Sequence, residues 1–181
     1  MKKNLLVVFF ALCALGVNAQ DFKPFQLYLG LGYAMPSDGG GGILFDIEPA
    51  YRINDALAVG LRLESAAMAK SVGTEDGKIS GVGSYTVNGK YYLSDNNFRP
   101  YVGAGLGLFA LGSVEVSGGG TTGGIEAGTT FGFYPRIGFD AGHFNINVDY
   151  NIIGSTQVSS GDIKNSYIGI RIGGFFFGGR K

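Results

Sequence analysis

Nine charged residues fall in one alternating register of strand-like segments and are the first candidates for chemistry. They are Asp46, Glu48, Arg52, Arg62, Glu64, Lys90, Arg136, Asp149 and Arg171. Five are basic and four are acidic, so their charges nearly cancel. Opposite charges held in a narrow interior need each other as partners, whereas ion-selective pores usually carry rings of one sign. This set therefore predicts a structural salt-bridge network, and an ion-selective pore is the functional alternative.

Residues suited to catalysis or metal binding are few. Asp46 and Glu48 lie two positions apart in one register, as a carboxylate pair for acid–base chemistry or a metal clamp would. Nearby arginines favour ion pairing for both. His143, the one histidine, lies in a short turn at 140–143. A membrane hydrolase that acts on lipid of the outer leaflet would need a histidine on the outer side of the membrane, next to a nucleophile. We therefore predict no catalytic residue, no metal site and no cofactor.

The glycine-rich stretch RPYVGAGLGLFALG at 99–112 raises the question of a nucleotide site. Its glycines, Gly103, Gly105 and Gly107, do not have the G-x-G-x-x-G spacing, and no helix is predicted after them. The stretch therefore needs another explanation, which comes from the elements around it.

The N-terminus predicts export. Lys2 and Lys3 precede an apolar segment, Leu5 to Gly16, and a small-residue cleavage site at Val17–Ala19, which together are typical of a signal peptide. We expect residues 1–19 to be the signal peptide and residues 20–181 to form one barrel domain. Cys13 would leave with the signal peptide. The remaining chain has two more acidic than basic residues, a charge balance that does not favour binding of nucleic acid.

Apolar and small or polar residues alternate with a period of two, which indicates β-strands. Eight segments show this pattern: 25–35, 43–52, 57–66, 85–93, 101–109, 130–139, 144–152 and 167–176. The breaks at 53–56, 94–98 and 140–143 are short, and those near 36–42, 67–78, 110–129 and 153–164 are longer. Strands of about 10 residues joined by alternating short turns and long loops are typical of transmembrane barrels. We therefore predict an all-β fold, an eight-stranded antiparallel up-and-down transmembrane β-barrel.

The sizes of the residues predict which face points outward. One register is large and apolar: Phe25, Leu27, Phe45, Ile47, Val59, Leu61, Tyr85, Val87, Leu106, Leu108, Phe133, Ile137, Ile146, Val148, Ile170 and Ile172. The other register is mostly glycine, alanine, asparagine, serine and tyrosine with scattered charges. An eight-stranded barrel has an interior barely wide enough for side chains, so the apolar register must face lipid. Gly103, Gly105 and Gly107 then make room in a crowded lumen.

Two further features concern the strands. Aromatic residues near predicted strand ends are expected to form interfacial girdles; they are Phe25, Tyr33, Tyr51, Tyr91, Tyr92, Phe98, Phe139, Phe144 and Phe175 to Phe177. Pro49 and Pro135 each remove a ladder hydrogen bond, so we expect local bulges at these two positions.

The chain resembles the small eight-stranded outer-membrane barrels of the OmpX and OmpA-barrel type, the outer membrane protein beta-barrel domain family. The resemblance rests on the N-terminal segment, on NGKYYLSDNNFRPYVGAGLG at 88–107 and on YIGIRIGGFFF at 167–177. It covers essentially all of residues 20–181. Members of this family usually end in an aromatic residue read by the assembly machinery, whereas Gly-Gly-Arg-Lys follows Phe177 here.

The resemblance implies the outer membrane of a double-membraned bacterium, reached after secretion and removal of the signal peptide. We expect a protein without catalytic activity that stabilises this membrane or presents surface loops to partners, with a lumen closed by a polar and salt-bridge network. The expected partners are outer-membrane lipids, the barrel assembly machinery and a surface ligand bound through the extracellular loops. Two alternatives remain: a narrow channel or transport barrel for small hydrophobic molecules, and a lipid A-modifying enzyme.

Overall fold

The structure, a computed structural model, describes residues 21–37, 39–72, 76–117, 120–122, 128–158, 161–163 and 165–179. The predicted signal peptide at 1–19 lies outside these residues. Among them, no helix has the length and apolar content needed to cross a bilayer.

The described residues form eleven strands. They are β1 Phe25–Pro36, β2 Gly41–Arg52, β3 Leu57–Val72, β4 Asp76–Tyr92, β5 Phe98–Ser117, β6 Gly120–Thr122, β7 Gly128–Ala141, β8 Phe144–Ile153, β9 Thr156–Val158, β10 Gly161–Ile163 and β11 Tyr167–Phe177. Eight of them, β1–β5, β7, β8 and β11, pair antiparallel in an up-and-down order, and β1 closes the sheet on β11. The predicted all-β, eight-stranded antiparallel barrel is confirmed.

The alternating faces point as the residue sizes predict. On β5, Leu106 and Leu108 are 54% and 52% exposed on the outer surface, whereas Tyr101 and Phe109 are buried in the lumen. Because the sheet is closed, none of these eight strands has a free edge along the barrel wall. This closure is required in a bilayer, since hydrocarbon offers no hydrogen-bond partners to unpaired backbone groups. The outer surface is therefore apolar and the lumen holds the polar side chains.

The glycines of β5 make room inside the barrel. A Cβ atom on Gly105 would lie 2.6 Å from Cε1 of Tyr134, and one on Gly107 would lie 2.7 Å from the Cα of Thr86. Real Cβ atoms do not approach other atoms so closely, and the second neighbour is backbone, which cannot move aside. The glycines of this stretch therefore make room for the Tyr134 ring at Gly105 and for the backbone of β4 at Gly103 and Gly107.

Three strands are longer than the sequence predicts. The breaks predicted near 67–78 and 110–129 are largely strand, because β3 runs to Val72, β4 begins at Asp76 and β5 runs to Ser117. The break near 153–164 contains the small hairpin of β9 and β10. Cross-strand hydrogen bonding continues through these segments without a shift in register, for example from Ala67↔Gly81 to Val72↔Asp76. Their small residues on both faces hide the alternation from the sequence.

The bulges predicted at the prolines are wrong. The ladder between β2 and β3 stops after Ile47↔Leu63, skips two residues on each strand around Pro49, and resumes in the same register. The ladder between β7 and β8 is interrupted in the same way at Pro135. Each proline remains paired with the strand on its other side, β1 for Pro49 and β5 for Pro135. The missing N–H therefore costs ladder bonds on one side without adding a residue.

The barrel has two distinct ends. We call the end with the turns 53–56, 93–97 and 142–143 the short-turn end, and the opposite end the long-loop end; short turns face the periplasm in such barrels. Outward aromatics at the short-turn end include Phe25, Tyr51, Tyr91, Phe98, Phe144 and Phe176, all exposed. Two residues predicted for this girdle, Tyr92 and Phe175, are instead buried inside the barrel, because they fall in the inward register.

Candidate functional site

The nine charged residues predicted from the sequence all project into the lumen. Lys90 is the most accessible of them, and even it is only 6% exposed. Eight of the nine lie in ion pairs with one another: Asp46, Glu48, Arg62, Glu64, Lys90, Arg136, Asp149 and Arg171. The ninth, Arg52, lies at the short-turn end. The strands therefore bring residues far apart in the chain into one polar column.

We call the part of this column nearer the long-loop end the upper part, and the part nearer the short-turn end the lower part. The upper part contains Arg171, Arg62 and three carboxylates. Arg171, on β11, contacts Asp149 through Nη1 and Glu64 through Nη2, and its Nε lies 3.5 Å from Oδ1 of Asp46. Arg62 Nη1 lies 2.8 Å from Oδ2 of Asp149 and 3.6 Å from Oε2 of Glu64. Asp149 and Glu64 are each shared by both guanidinium groups, so neither carboxylate depends on a single partner.

Glu48 forms the lower part of the column. It pairs with Lys90, and its Oε2 lies 2.6 Å from Nη1 of Arg136. Nε of Arg136 lies 3.6 Å from Oδ2 of Asp149, which joins the lower part to the upper part. The ion pairs are thus continuous along the lumen, and the network has members on β2, β3, β4, β7, β8 and β11.

Uncharged side chains surround the charges, and sequence reasoning did not single them out. The guanidinium of Arg62 lies 3.7 Å from the centre of the Tyr134 ring. The ammonium of Lys90 lies between the rings of Tyr28 and Tyr101, at 5.7 and 5.5 Å. Three asparagines on β8, Asn145, Asn147 and Asn151, are also buried in the lumen. All of these share the inward register with the charges, and that register is the signal that could have found them.

Among the described residues, a buried cluster of mostly apolar side chains lies towards the long-loop end of the lumen. The buried cluster contains Ala34, Leu44, Ala66, Met68, Val82, Phe109, Tyr134, Ile153 and Tyr167. The phenol of Tyr167 donates to Glu64, so the cluster rests directly on the ionic column. Sequence reasoning, which assigned small and polar residues to most of this register, did not predict Leu44, Met68, Val82 and Ile153 here.

Phe22 is buried at the short-turn end of the lumen. Its ring is buried, and the guanidinium groups of Arg99 and Arg52 lie 3.8 and 4.5 Å from its centre. The same two groups lie 4.1 and 5.1 Å from the centre of the Tyr92 ring. The carboxylate of Asp55 accepts the backbone N–H of Phe22 at 3.3 Å. These contacts therefore hold the segment before β1 against the short-turn end of the barrel.

We expect Phe22→Ala to lower the free energy of unfolding by about 2–3 kcal/mol, since a buried ring and two cation–π contacts are lost. Reversible urea unfolding in detergent micelles measures the change. Phe25→Ala is the matched control, because Phe25 is 50% exposed on the outer surface and lipid or detergent can replace its contacts. Equal losses for both variants would show that Phe22 has no special role at this end.

The arrangement offers little for catalysis. Asp46 and Glu48 face different partners, Arg171 for the first and Lys90 and Arg136 for the second. Among the residues whose positions are described, no group of three or more histidine, cysteine, aspartate or glutamate side chains is placed to hold a metal. His143 lies in the turn between β7 and β8, with its ring 5.2 Å from that of Phe175.

Comparison with solved structures supports the fold. The attachment invasion locus protein Ail of Yersinia pestis superposes with a TM-score of 0.55 at 13% identity, over 85% of this chain and 100% of Ail. Neisserial surface protein A gives 0.53 at 20% identity, over 85% of this chain and 96% of that protein. OprG from Pseudomonas aeruginosa gives 0.53 at 13% identity, over 87% and 98%. No curated protein sequence matches this chain.

Comparison with family models identifies the family. The model for the outer membrane protein beta-barrel domain matches residues 5–176, which is nearly the whole chain. The closed eight-stranded barrel, its apolar outer face and its charged lumen are the features expected of such a domain. The chain therefore belongs to the outer membrane protein beta-barrel domain family, which crosses the bacterial outer membrane with β-strands.

Proposed function

We propose that this protein is a non-catalytic component of the outer membrane that stabilises the membrane or presents its long-loop end to partners, with a lumen closed by its own side chains. The observation that carries the proposal is the burial of large side chains at three levels of the lumen. Phe22 packs on two arginines at the short-turn end, the ionic column lies in the centre, and the apolar cluster lies towards the long-loop end.

The ionic column supports a structural role because of its charge balance. Glu48 pairs with Lys90 and Arg136, while Arg62 and Arg171 share Glu64 and Asp149. Selective pores usually present rings of one sign to a water-filled path. Here each charge faces an opposite charge within a few ångströms, which favours a stabilising network over a conduction path.

The long strands support a role in display. β3, β4 and β5 have 16, 17 and 20 residues, whereas the other barrel strands have 10 to 14. Their pairing continues at the long-loop end, through Lys70↔Lys78 and Gly77↔Val116, and β6 adds to the edge of β5. Sheet edges outside the membrane can add a strand from another protein. A surface ligand bound at this end is the partner we propose, besides outer-membrane lipids and the barrel assembly machinery.

The enzymatic alternative has little support in the geometry. A lipid A-modifying enzyme would act on the outer leaflet, beside the long-loop end. His143 lies in a turn at the short-turn end, and its ring packs on Phe175. The carboxylates of the column are committed to arginine and lysine. Of the candidates named from the sequence, His143 therefore lies at the opposite end, and Asp46 and Glu48 face cationic partners.

Planar-bilayer recording tests the closed lumen. We expect the purified barrel to give no steady single-channel openings, because paired charges and packed apolar side chains would leave ions no continuous water-filled path through the lumen. A wide porin added afterwards to the same bilayer shows that channels can be detected. Steady unitary openings from the barrel itself would contradict the closed lumen and favour the transport alternative.

A further inference from the structure

Two recesses meet at His143, one on the membrane face and one at the short-turn mouth. The first is a groove of about 720 Å³ on the outer surface of β1, β2, β8 and β11. Its walls include Leu29, Leu31, Phe144 and Ile172, and it is almost entirely apolar. It lies on the surface that the bilayer covers, so an occupant reaches it from within the membrane.

The groove exists because one outward position on β11 has no side chain. Gly174 is paired with Leu29 on β1 and with Phe144 on β8, both of which project outward. A Cβ atom on Gly174 would lie 3.2 Å from the backbone oxygen of His143. The two neighbouring outward positions on β11 carry Ile172 and Phe176, both more than half exposed. The surface is therefore indented at Gly174 between two large side chains.

The second recess is polar and lies at the short-turn mouth, with a volume of about 250 Å³. Arg99, Asn96, Asn97 and His143 are among its lining residues, and no acidic residue lines it among those described. Arg99 donates to the backbone oxygens of Ser94 and Asp55, which holds the guanidinium at this mouth. The recess is therefore lined by basic and amide side chains, of which Asn96 and Asn97 are exposed and Arg99 is 3% exposed.

We propose that the two recesses form one binding site for an anionic glycerophospholipid of the periplasmic leaflet. An acyl chain would lie in the groove over Gly174, and the phosphate would lie at His143 and the exposed amides of Asn96 and Asn97, near the buried guanidinium of Arg99. Three features support this occupant. The groove is continuous with the lipid-facing surface, its polar end lies at the depth of the aromatic girdle, and the donors there match a phosphate group. A neutral imidazole has an N–H that can donate to phosphate oxygen.

The headgroup and the chain contribute differently. Lipid tails are as apolar as the groove walls, so an acyl chain gains little by moving there from bulk lipid. The groove therefore determines where the lipid lies, and the charges at the mouth determine which headgroup is preferred. A second copy of this barrel could cover the groove, but an apolar barrel surface would leave the cationic recess without an anion. The pairing of the two recesses favours a lipid.

Native mass spectrometry of the folded barrel tests this site. The barrel is placed in nanodiscs of mostly phosphatidylcholine with a minority of phosphatidylglycerol, and the lipids that stay bound after gentle release are counted. We expect one phosphatidylglycerol to be retained in preference to phosphatidylcholine, and the preference to weaken with added salt. We expect Gly174→Leu, which fills the groove, to lower the retained phosphatidylglycerol about tenfold.

Gly89→Leu is the matched control, because Gly89 is also an outward glycine near the short-turn end and a Cβ there meets its nearest atom only at 4.0 Å. It should retain lipid as the unmodified barrel does. Leu29→Trp fills the same groove from β1 and replaces Gly174→Leu should that variant not fold. We expect His143→Ala to keep a bound lipid but lose much of the preference for phosphatidylglycerol.

Several results would overturn the site: no retained lipid, equal retention of the two lipids, or retention in Gly174→Leu at the level of the unmodified barrel. A loss in Gly89→Leu as large as that in Gly174→Leu would mean that bulk on any outward glycine disturbs lipid contacts. A barrel dimer that Gly174→Leu dissociates would assign the groove to a second copy. The outcome is independent of the closed lumen, which bilayer recording tests by itself.

Discussion

Arg171→Met should lower the free energy of unfolding by about 3–5 kcal/mol, since removing one partner leaves buried charges uncompensated. Arg171 contacts Asp149 and Glu64 and lies 3.5 Å from Asp46. Methionine keeps the apolar stem and removes the charge and its donors. Arg62 and Arg136 remain near these carboxylates, but neither is placed to replace all three contacts. The loss should appear as a lower midpoint in urea and a lower temperature for the heat-dependent gel shift.

Two comparisons separate this effect from a general effect of charge. Lys23→Met removes one positive charge from an exposed residue at the short-turn end and should change the stability by less than about 1 kcal/mol. Adding Glu64→Gln to Arg171→Met should recover part of the loss, because one uncompensated carboxylate is removed. Unchanged gel-shift temperatures for both Arg171→Met and Arg136→Met would contradict a stabilising network.

The architecture follows from the sequence because the bilayer and the narrow lumen impose opposite requirements on alternating residues. Leu106 and Leu108 face lipid, whereas Gly105 and Gly107 face the crowded interior, where the Tyr134 ring and the backbone of β4 leave no room for a Cβ atom. A one-residue error in register would exchange these sets completely. The alternation of residue sizes therefore made it possible to predict the strands of the barrel wall, their order and their inward faces.

The ends of the strands were less predictable, because their residues do not differ in size between the two faces. Ser65, Ala67 and Ala69 on the outer face of β3 alternate with Ala66 and Met68 on the inner face. Such a run carries no period-two signal, although its backbone remains fully paired. The prolines misled for a different reason. A missing N–H can be tolerated by breaking one ladder locally, which no rule based on sequence alone distinguishes from a bulge.

The inward register of the charged residues was predictable, but their pairing was not. Alternation along each strand places Arg62, Glu64, Asp149 and Arg171 in the inward register, but it carries no information on the distances between their side chains. The hydrogen bond from Arg62 to Asp149 joins residues 87 positions apart, and that from Arg171 to Glu64 joins residues 107 apart. Such contacts across the lumen depend on the stagger of the strands around the barrel, which alternation within one strand does not encode. Phe22 was missed because it lies before the first alternating segment.

Leu106→Arg should lower the free energy of unfolding by about 2–4 kcal/mol, the cost of a charged side chain at the middle of the bilayer. Leu106 is paired with Val87 on β4 and with Phe133 on β7, and all three project outward. The exposed rings of Tyr85 and Tyr91 flank this level on β4, two positions to one side of Val87 and four to the other. Leu106 therefore lies within the apolar band, where an arginine cannot reach water without deforming the bilayer.

Leu93→Arg provides the matched control, because Leu93 is 59% exposed just beyond the end of β4 at the short-turn end. The same substitution near the interface should cost no more than about 1 kcal/mol. Urea unfolding of both variants in lipid vesicles measures the difference, which reflects mainly the depth of the arginine in the bilayer because both variants replace leucine by arginine. Equal costs at the two positions would mean that the outer register does not meet hydrocarbon. The filled lumen and the lipid site at His143 would then lose their physical basis, because both depend on which face of each strand meets the membrane.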